Sequence, residues 1–62
     1  MPKRAREMEK EILRDGWKFL KQKGSHRQYI HPYKSGKVTI PFHSKELSLE
    51  VELSIRKQAG LL

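Results

Sequence analysis

Leu47-Ser48-Leu49-Glu50-Val51-Glu52-Leu53-Ser54-Ile55 carries two incompatible periods, and the fold of this 62-residue chain turns on which one governs. Apolar and polar residues alternate without a break, the period-2 mark of a half-buried strand. Leu47, Val51, Ile55 and Ala59 also stand four apart, which is a helical stripe. Glu50 and Glu52 come early and Arg56 and Lys57 late, which suits the dipole of a helix entered at Ser48, and Gly60 is a natural stop. The charges favour a helix over residues 48–59; the alternation keeps a strand open.

The rest of the chain limits what this segment can pack against. Residues 3–14 (KRAREMEKEILR) contain neither Gly nor Pro, and Ala5, Met8 and Ile12 form one modest apolar stripe, so a first helix is expected there. Asp15-Gly16 ends it. Three short β-rich runs follow. Trp17 to Gln22 alternate loosely, with Trp17 and Phe19 on one side and Lys18 on the other. A run from His26 to His31 is closed by Pro32, and residues 37–42 (KVTIPF) make the third. Lys23-Gly24-Ser25 and Ser35-Gly36 are turn signals, so the runs should pair as an antiparallel meander. Pro41 has no N–H to give a ladder and belongs at a strand end or edge. Tyr29, Val38 and Ile40 read as the inward set. Strand alternation then sends Arg27 and His31 the same way as Tyr29, and puts His26, Gln28, Ile30 and Thr39 on an open outer face. Ile30 is the misfit of that face.

Charge is distributed unevenly. Residues 16–45 contain no Asp or Glu, yet hold seven Lys/Arg and all three His. The flanks hold seven Lys/Arg and all seven acids, so the net +7 belongs to the central segment. A small basic domain of this kind meets polyanions. The unopposed cations fall in the least helical stretch, which speaks against an amphipathic membrane helix, and no apolar run approaches the ~20 residues that span a bilayer. There is no cysteine and no signal-peptide pattern, consistent with a cytoplasmic protein of one domain over residues 1–62.

Metal chemistry is disfavoured because the central segment has no carboxylates. His26, His31 and His43 are five and twelve residues apart, matching no standard zinc spacing. Ser25 and His26 diverge as strand neighbours and lack an orienting acid, so a hydrolase triad is not formed. Acid–base cleavage of RNA remains. RNA carries its own 2′-OH nucleophile, and an imidazole with an ordinary pKa of ~6.5 suits proton transfer at cellular pH. His26 is the catalytic candidate and needs no cofactor. Lys21, Lys23 and Arg27 are candidates for binding phosphate, and Gly24 for letting the backbone approach it. Ser25, Gln28, Thr39 and His43 complete the candidate RNA contacts. A non-catalytic RNA-binding module, or a domain for an acidic protein partner, would use the same basic surface.

The ordered set Gly16-Trp17, Gly24-Ser25-His26-Arg27-Gln28-Tyr29, His31-Pro32, Val38-Thr39-Ile40-Pro41 with His43, Lys45-Glu46-Leu47 and Lys57-Gln58-Ala59-Gly60-Leu61 resembles the HicA (YcfA-like) family of bacterial and archaeal toxins. The resemblance implies an α+β domain of order α-β-β-β-α. Its three-stranded antiparallel meander carries both helices on one face, similar to double-stranded-RNA-binding domains, and the disputed tail becomes a helix. It implies an mRNA interferase whose catalytic histidine, in the Gly-Ser-His motif, is His26. It also implies an acidic HicB-type antitoxin lying over His26, with the toxin alone a monomer and larger assemblies built through the antitoxin. The chain departs from the family at Glu50-Val51-Glu52, where many members have Gly-Thr-Leu.

Overall fold

The computed structural model describes residues 3–43 and 45–62. Its elements run α1 (Ala5–Arg14), β1 (Lys18–Lys23), β2 (His26–Ile30), β3 (Val38–Pro41) and α2 (Leu49–Gln58). The strands form one antiparallel sheet in the order β1-β2-β3, and both helices pack on one of its faces. This is the α-β-β-β-α order expected from the sequence.

The contested tail is helical from its first turn. The Ser48 Oγ accepts a hydrogen bond from the Val51 N–H at 3.2 Å, satisfying one of the donors that a helix start leaves unpaired. Leu47, Ile55 and Ala59 are buried, and Val51 packs at the margin of the same cluster. The other half of the alternating set is given to solvent: Leu49 is 66% exposed and Leu53 41%. Helix wins over period 2 because the inward sheet face needs a cover. Each large apolar side chain left wet on that face forgoes ~1.5–3 kcal/mol.

α1 buries Ala5, Met8 and Ile12, the stripe read from the sequence, against Tyr29, Val38, Ile40 and Ile55. The Glu7 carboxylate accepts from the Arg4 N–H at 2.9 Å and closes the helix start. At the other end Trp17 N–H donates to Ile12 O at 3.1 Å as the chain turns into the sheet. The Trp17 indole N–H reaches Ala59 O at 3.2 Å, tying the β1 entry to the end of α2.

The two helices are also joined by charge. Glu52 is buried, unusual for a carboxylate, and accepts from the Lys3 N–H at 3.2 Å and from Arg56 at 3.5 Å. Arg56 spans to Glu11 with two bonds of 2.7 and 3.1 Å, and the Lys3 ammonium joins Glu11 at 3.3 Å. Glu52 therefore ties α2 to the chain just before α1, while Arg56–Glu11 joins the two helices directly.

His31 leaves β2 and serves the fold. Its Nδ1 accepts from the N–H groups of Tyr33 and Lys34 at 3.0 and 3.1 Å, which leaves Nε2–H to donate to Asp15 O at 2.8 Å. Its ring meets Trp17 edge-on at 5.2 Å between centroids. Gly16 beneath it has φ +103°, and a Cβ there would lie 2.8 Å from Nε2, so both the backbone and the space require glycine.

Candidate functional site

β2 is the middle strand, and its alternation divides the sheet into two chemically distinct faces. Residues paired across an antiparallel ladder share a face. On the inner face Tyr29 pairs with Phe19 and Val38, and Arg27 with Gln22 and Ile40. On the outer face His26 pairs with Lys23 and Pro41, Gln28 with Lys21 and Thr39, and Ile30 with Lys18.

This grouping depends on an irregularity in β1. The register shifts by one residue at Leu20, between Phe19 and Lys21. In an unbroken strand Lys21 and Lys23 would share the face of Phe19, toward the helices. The extra residue re-aims them, as β-bulges do, onto the face of Lys18 and His26. The sequence signal is the adjacent apolar pair Phe19-Leu20, which breaks strict alternation. Charge alone identified Lys21 and Lys23; the bulge brings them to the face that already holds Lys18, His26 and Ile30.

The Lys23-to-His26 connection is a two-residue turn. Gly24 has φ +59°, while no non-glycine residue among those described has positive φ, a pattern that fits a II′ hairpin with glycine at the first central position. A Cβ on Gly24 would meet nothing within 4 Å, so this glycine is required by backbone conformation. The turn holds His26 at the sheet rim, directly opposite Lys23. Both are exposed, as are Lys18, Lys21 and Ser25; Gln28 and Thr39 are half-buried between neighbours on the same face.

Arg27, grouped with the phosphate candidates by sequence, is set apart from them by strand parity. Its guanidinium lies on the inner side, 3.2 Å from the Glu9 carboxylate of α1 and 4.7 Å from the ring centroids of both Phe19 and Phe42. The same Glu9 oxygen accepts the Tyr29 hydroxyl hydrogen bond. Burial first, and then this bond, hold the Tyr29 hydroxyl well above its ordinary 10.0. The linear stretch without acids thus gains acids in three dimensions, but only on the helix side. Asp15 likewise takes Lys34, whose ammonium holds the Asp15 carboxyl below its ordinary 3.8.

The outer face has no such compensation. Lys18, Lys21, Lys23 and His26 take part in none of the ion pairs found among the described residues, and no acid shares their face. His43 lies beyond β3, exposed, at the sheet end where His26 sits. It lines a cavity of about 380 Å³ with Arg4, Arg6, Glu7 and Phe42, on the helix side rather than on the His26 face. Among the described residues no three His, Asp or Glu gather as metal ligands would. No described helix is long and apolar enough to cross a membrane.

What the outer face offers is an exposed imidazole beside unpaired ammonium groups on an open surface. That suits a polymer of phosphates better than a small molecule that must be enclosed. No curated protein sequence matches the chain. The family described as the HicA toxin of bacterial toxin–antitoxin systems matches residues 5–61, nearly the whole chain, from the start of α1 to the residue after Gly60. The chain belongs to the HicA toxin family of toxin–antitoxin systems.

Proposed function

We propose that this toxin is a metal-independent endoribonuclease that cleaves mRNA, with His26 as its catalytic residue. The observation that carries the reading is the Lys23–His26 pair, cross-strand neighbours at the rim of a face that has cations and no acid. In this mechanism the His26 imidazole takes the proton of a ribose 2′-OH as that oxygen attacks the adjacent phosphorus. The pentacoordinate intermediate is more negative than the phosphate it came from, and the Lys21 and Lys23 ammonium groups offset that charge. The bond from phosphorus to the 5′-oxygen then breaks. The leaving oxygen takes a proton from the Lys23 ammonium, across the strand pair from His26. Solvent then accepts the proton held by His26 and supplies one to the Lys23 amine, so both groups return to their starting states. The products are a 2′,3′-cyclic phosphate and a 5′-OH, and DNA, without the 2′-OH, is not a substrate.

Gly24 and Ser25 present turn backbone beside the scissile phosphate, and Gln28 and Thr39 contact the neighbouring nucleotide. Arg27 contributes by holding β2 against α1. An acidic HicB-type antitoxin covering His26 would compete with RNA for the same cations, and its association rate would fall with salt.

The test is cleavage of a defined RNA in EDTA by the wild-type chain and by His26→Ala. Wild type should cleave to 5′-OH products. His26→Ala should stay folded and bind RNA, and should be slower by at least the ~10²-fold that one acid–base group supplies. Folded His26→Ala cleaving at the wild-type rate would overturn the assignment. RNA binding by wild type with no cleavage would make the domain a binding module.

A further inference from the structure

Resting on that reading, the geometry points to a specific path for the substrate: a single RNA strand runs along β1 and β2 over three rungs, Lys23–His26, Lys21–Gln28 and Lys18–Ile30. In each rung β1 supplies a cation and β2 a different kind of nucleoside-facing group.

The first support is the bulge. Without the register shift at Leu20, Lys21 and Lys23 would point to the helix side, and the outer face of β1 would carry Lys18 alone of the three. With it, every lysine of β1 falls on the face of His26, all three are exposed, and none has an acid for a neighbour on that face. Three like charges in a row along one strand repel one another, and such an array suits an anionic chain better than folding alone.

The second is spacing. Residues two apart on a strand lie ~6.7 Å apart along it, near the separation of successive phosphates in an extended nucleic-acid strand. The rungs therefore advance about one nucleotide at a time, with the scissile position at the His26 rung.

The third is arrangement. The three lysines form one row on one edge strand. One row follows one sugar–phosphate backbone, whereas holding a duplex takes contacts to phosphates and riboses across its grooves.

The path also accounts for Ile30. It is 41% exposed on the outer face, out of place among polar neighbours, and stands opposite Lys18 at the third rung. There it gives the third nucleoside an apolar floor, as Pro41 does for the first, while Gln28 and Thr39 offer hydrogen bonds to the second. Lys18 and Ile30 thereby join the substrate-binding residues.

The experiment measures affinity of the wild-type chain and its variants for a labelled 2′-O-methyl uridine nonamer between about 50 and 300 mM salt. This ligand has the charge of RNA and no 2′-OH proton, so it stays intact throughout. Three phosphate contacts to a single strand give a slope of log K on log salt of about −2, at ~0.7 per contact. Each of Lys18→Ala, Lys21→Ala and Lys23→Ala should make the slope shallower by ~0.7. Ile30→Asp, which sets a carboxylate in the third rung, should weaken binding several-fold. Lys10→Ala and Lys57→Ala, on the helix layer, should leave the slope unchanged, and a duplex of equal length should bind more weakly than the single strand. The three-rung path is overturned if Lys18→Ala keeps the wild-type slope, if the helix-layer variants change it as much, or if duplex binds better. Cleavage of unmodified RNA alongside any of these results sinks the path and spares the endonuclease reading. No binding and no cleavage by the wild type sinks both.

Discussion

His26 and Arg27 are adjacent in β2, both basic in type, and the fold uses them in opposite ways. Arg27 turns toward α1, where Glu9 takes its charge and Phe19 and Phe42 take its two faces. His26 turns away, where its cross-strand neighbours are Lys23 and Pro41 and no acid is near. The inner face of the sheet consumes its charge in holding the domain together. The outer face leaves its charge uncompensated and available to a ligand. A surplus of seven positive charges therefore describes the partner only after subtracting the cations that the helices have neutralised.

The largest expected effect tests the division one residue apart in β3. Val38 is fully buried on the inner face, while Thr39 is on the outer face beside Gln28. Val38→Asp forgoes ~1.5–3 kcal/mol of burial and adds several more for an unpaired buried charge. A chain of this length has ~3–9 kcal/mol in total, so Val38→Asp should be unfolded by circular dichroism at 25 °C. Thr39→Asp should melt near the wild-type temperature and lose RNA affinity. A folded Val38→Asp variant would show that the inner face is not the core.

Next comes the charge that binds the two layers. Glu9→Ala removes the Arg27 ion pair and the Tyr29 hydrogen bond together, leaving a half-buried guanidinium unpaired. A loss of about 2–3 kcal/mol in denaturant unfolding is expected. The pH dependence has a definite sign. The Tyr29 hydroxyl titrates higher in the fold than its ordinary 10.0, so its contribution is complete below that value and disappears as pH rises through the folded value. Glu9→Ala should bring the phenolate absorbance change to lower pH, though burial, the larger cause, keeps it above 10.0. Ionisation at its ordinary pH in the wild type would mean that Tyr29 faces solvent.

Much of this division was legible in the sequence. The stripe Ala5, Met8, Ile12, the turn at Gly24-Ser25 and the alternation that separates His26 from Tyr29 all follow from local periodicity and turn chemistry. The location of His26 on an acid-free outer face followed from parity in β2 and β3, where nothing interrupts the strands. β1 was different. A bulge is one extra residue in one strand relative to its partner, so it is a property of a pair, and local alternation marks it only as the untidy Phe19-Leu20 step. Arg27's partner was also out of reach, since Glu9 lies eighteen positions upstream and meets it only once α1 docks on the sheet. Helix for residues 48–59 was decided by tertiary need. A local pattern cannot show that the inner sheet face lacks a cover.

A smaller effect concerns the link between the helices. The Arg56 guanidinium beside Glu11 holds its carboxyl below its ordinary 4.5. A depressed carboxyl contributes stability that is present above its unfolded value and lost as pH falls through the folded one. The melting temperature should therefore drop as pH goes below about 4.5, and Glu11→Gln should flatten that drop while lowering stability at pH 7 by about 1 kcal/mol, since the ion pair is only partly buried and solvent screens it. An unchanged acid limb in Glu11→Gln would assign the acid sensitivity to Asp15 instead, whose carboxyl the Lys34 ammonium also holds below its ordinary value.

The smallest effect is the most telling for the comparison. Lys18, Lys21 and Lys23 are exposed, have no ion-pair partner among the described residues, and stand in a row on one face. Their stems lie on an edge strand exposed along its whole length, so truncation removes little packing. Each substitution by Ala should change stability by no more than ~0.5 kcal/mol, the range for surface positions without special contacts. The sign should lean toward stabilisation at low salt. Three like charges at close range repel one another in the folded sheet, and the unfolded chain relieves that repulsion. Salt should erase the gain, because screening at ~0.15 M already shortens the reach of exposed charges to ~8 Å. The triple variant Lys18→Ala, Lys21→Ala, Lys23→Ala should thus melt at or slightly above the wild type in dilute buffer, and level with it at 0.5 M salt, while its RNA affinity collapses. A triple variant that melts several degrees lower at every salt concentration would show these lysines to be part of the folding machinery, and the contrast between the two faces of the sheet would fail.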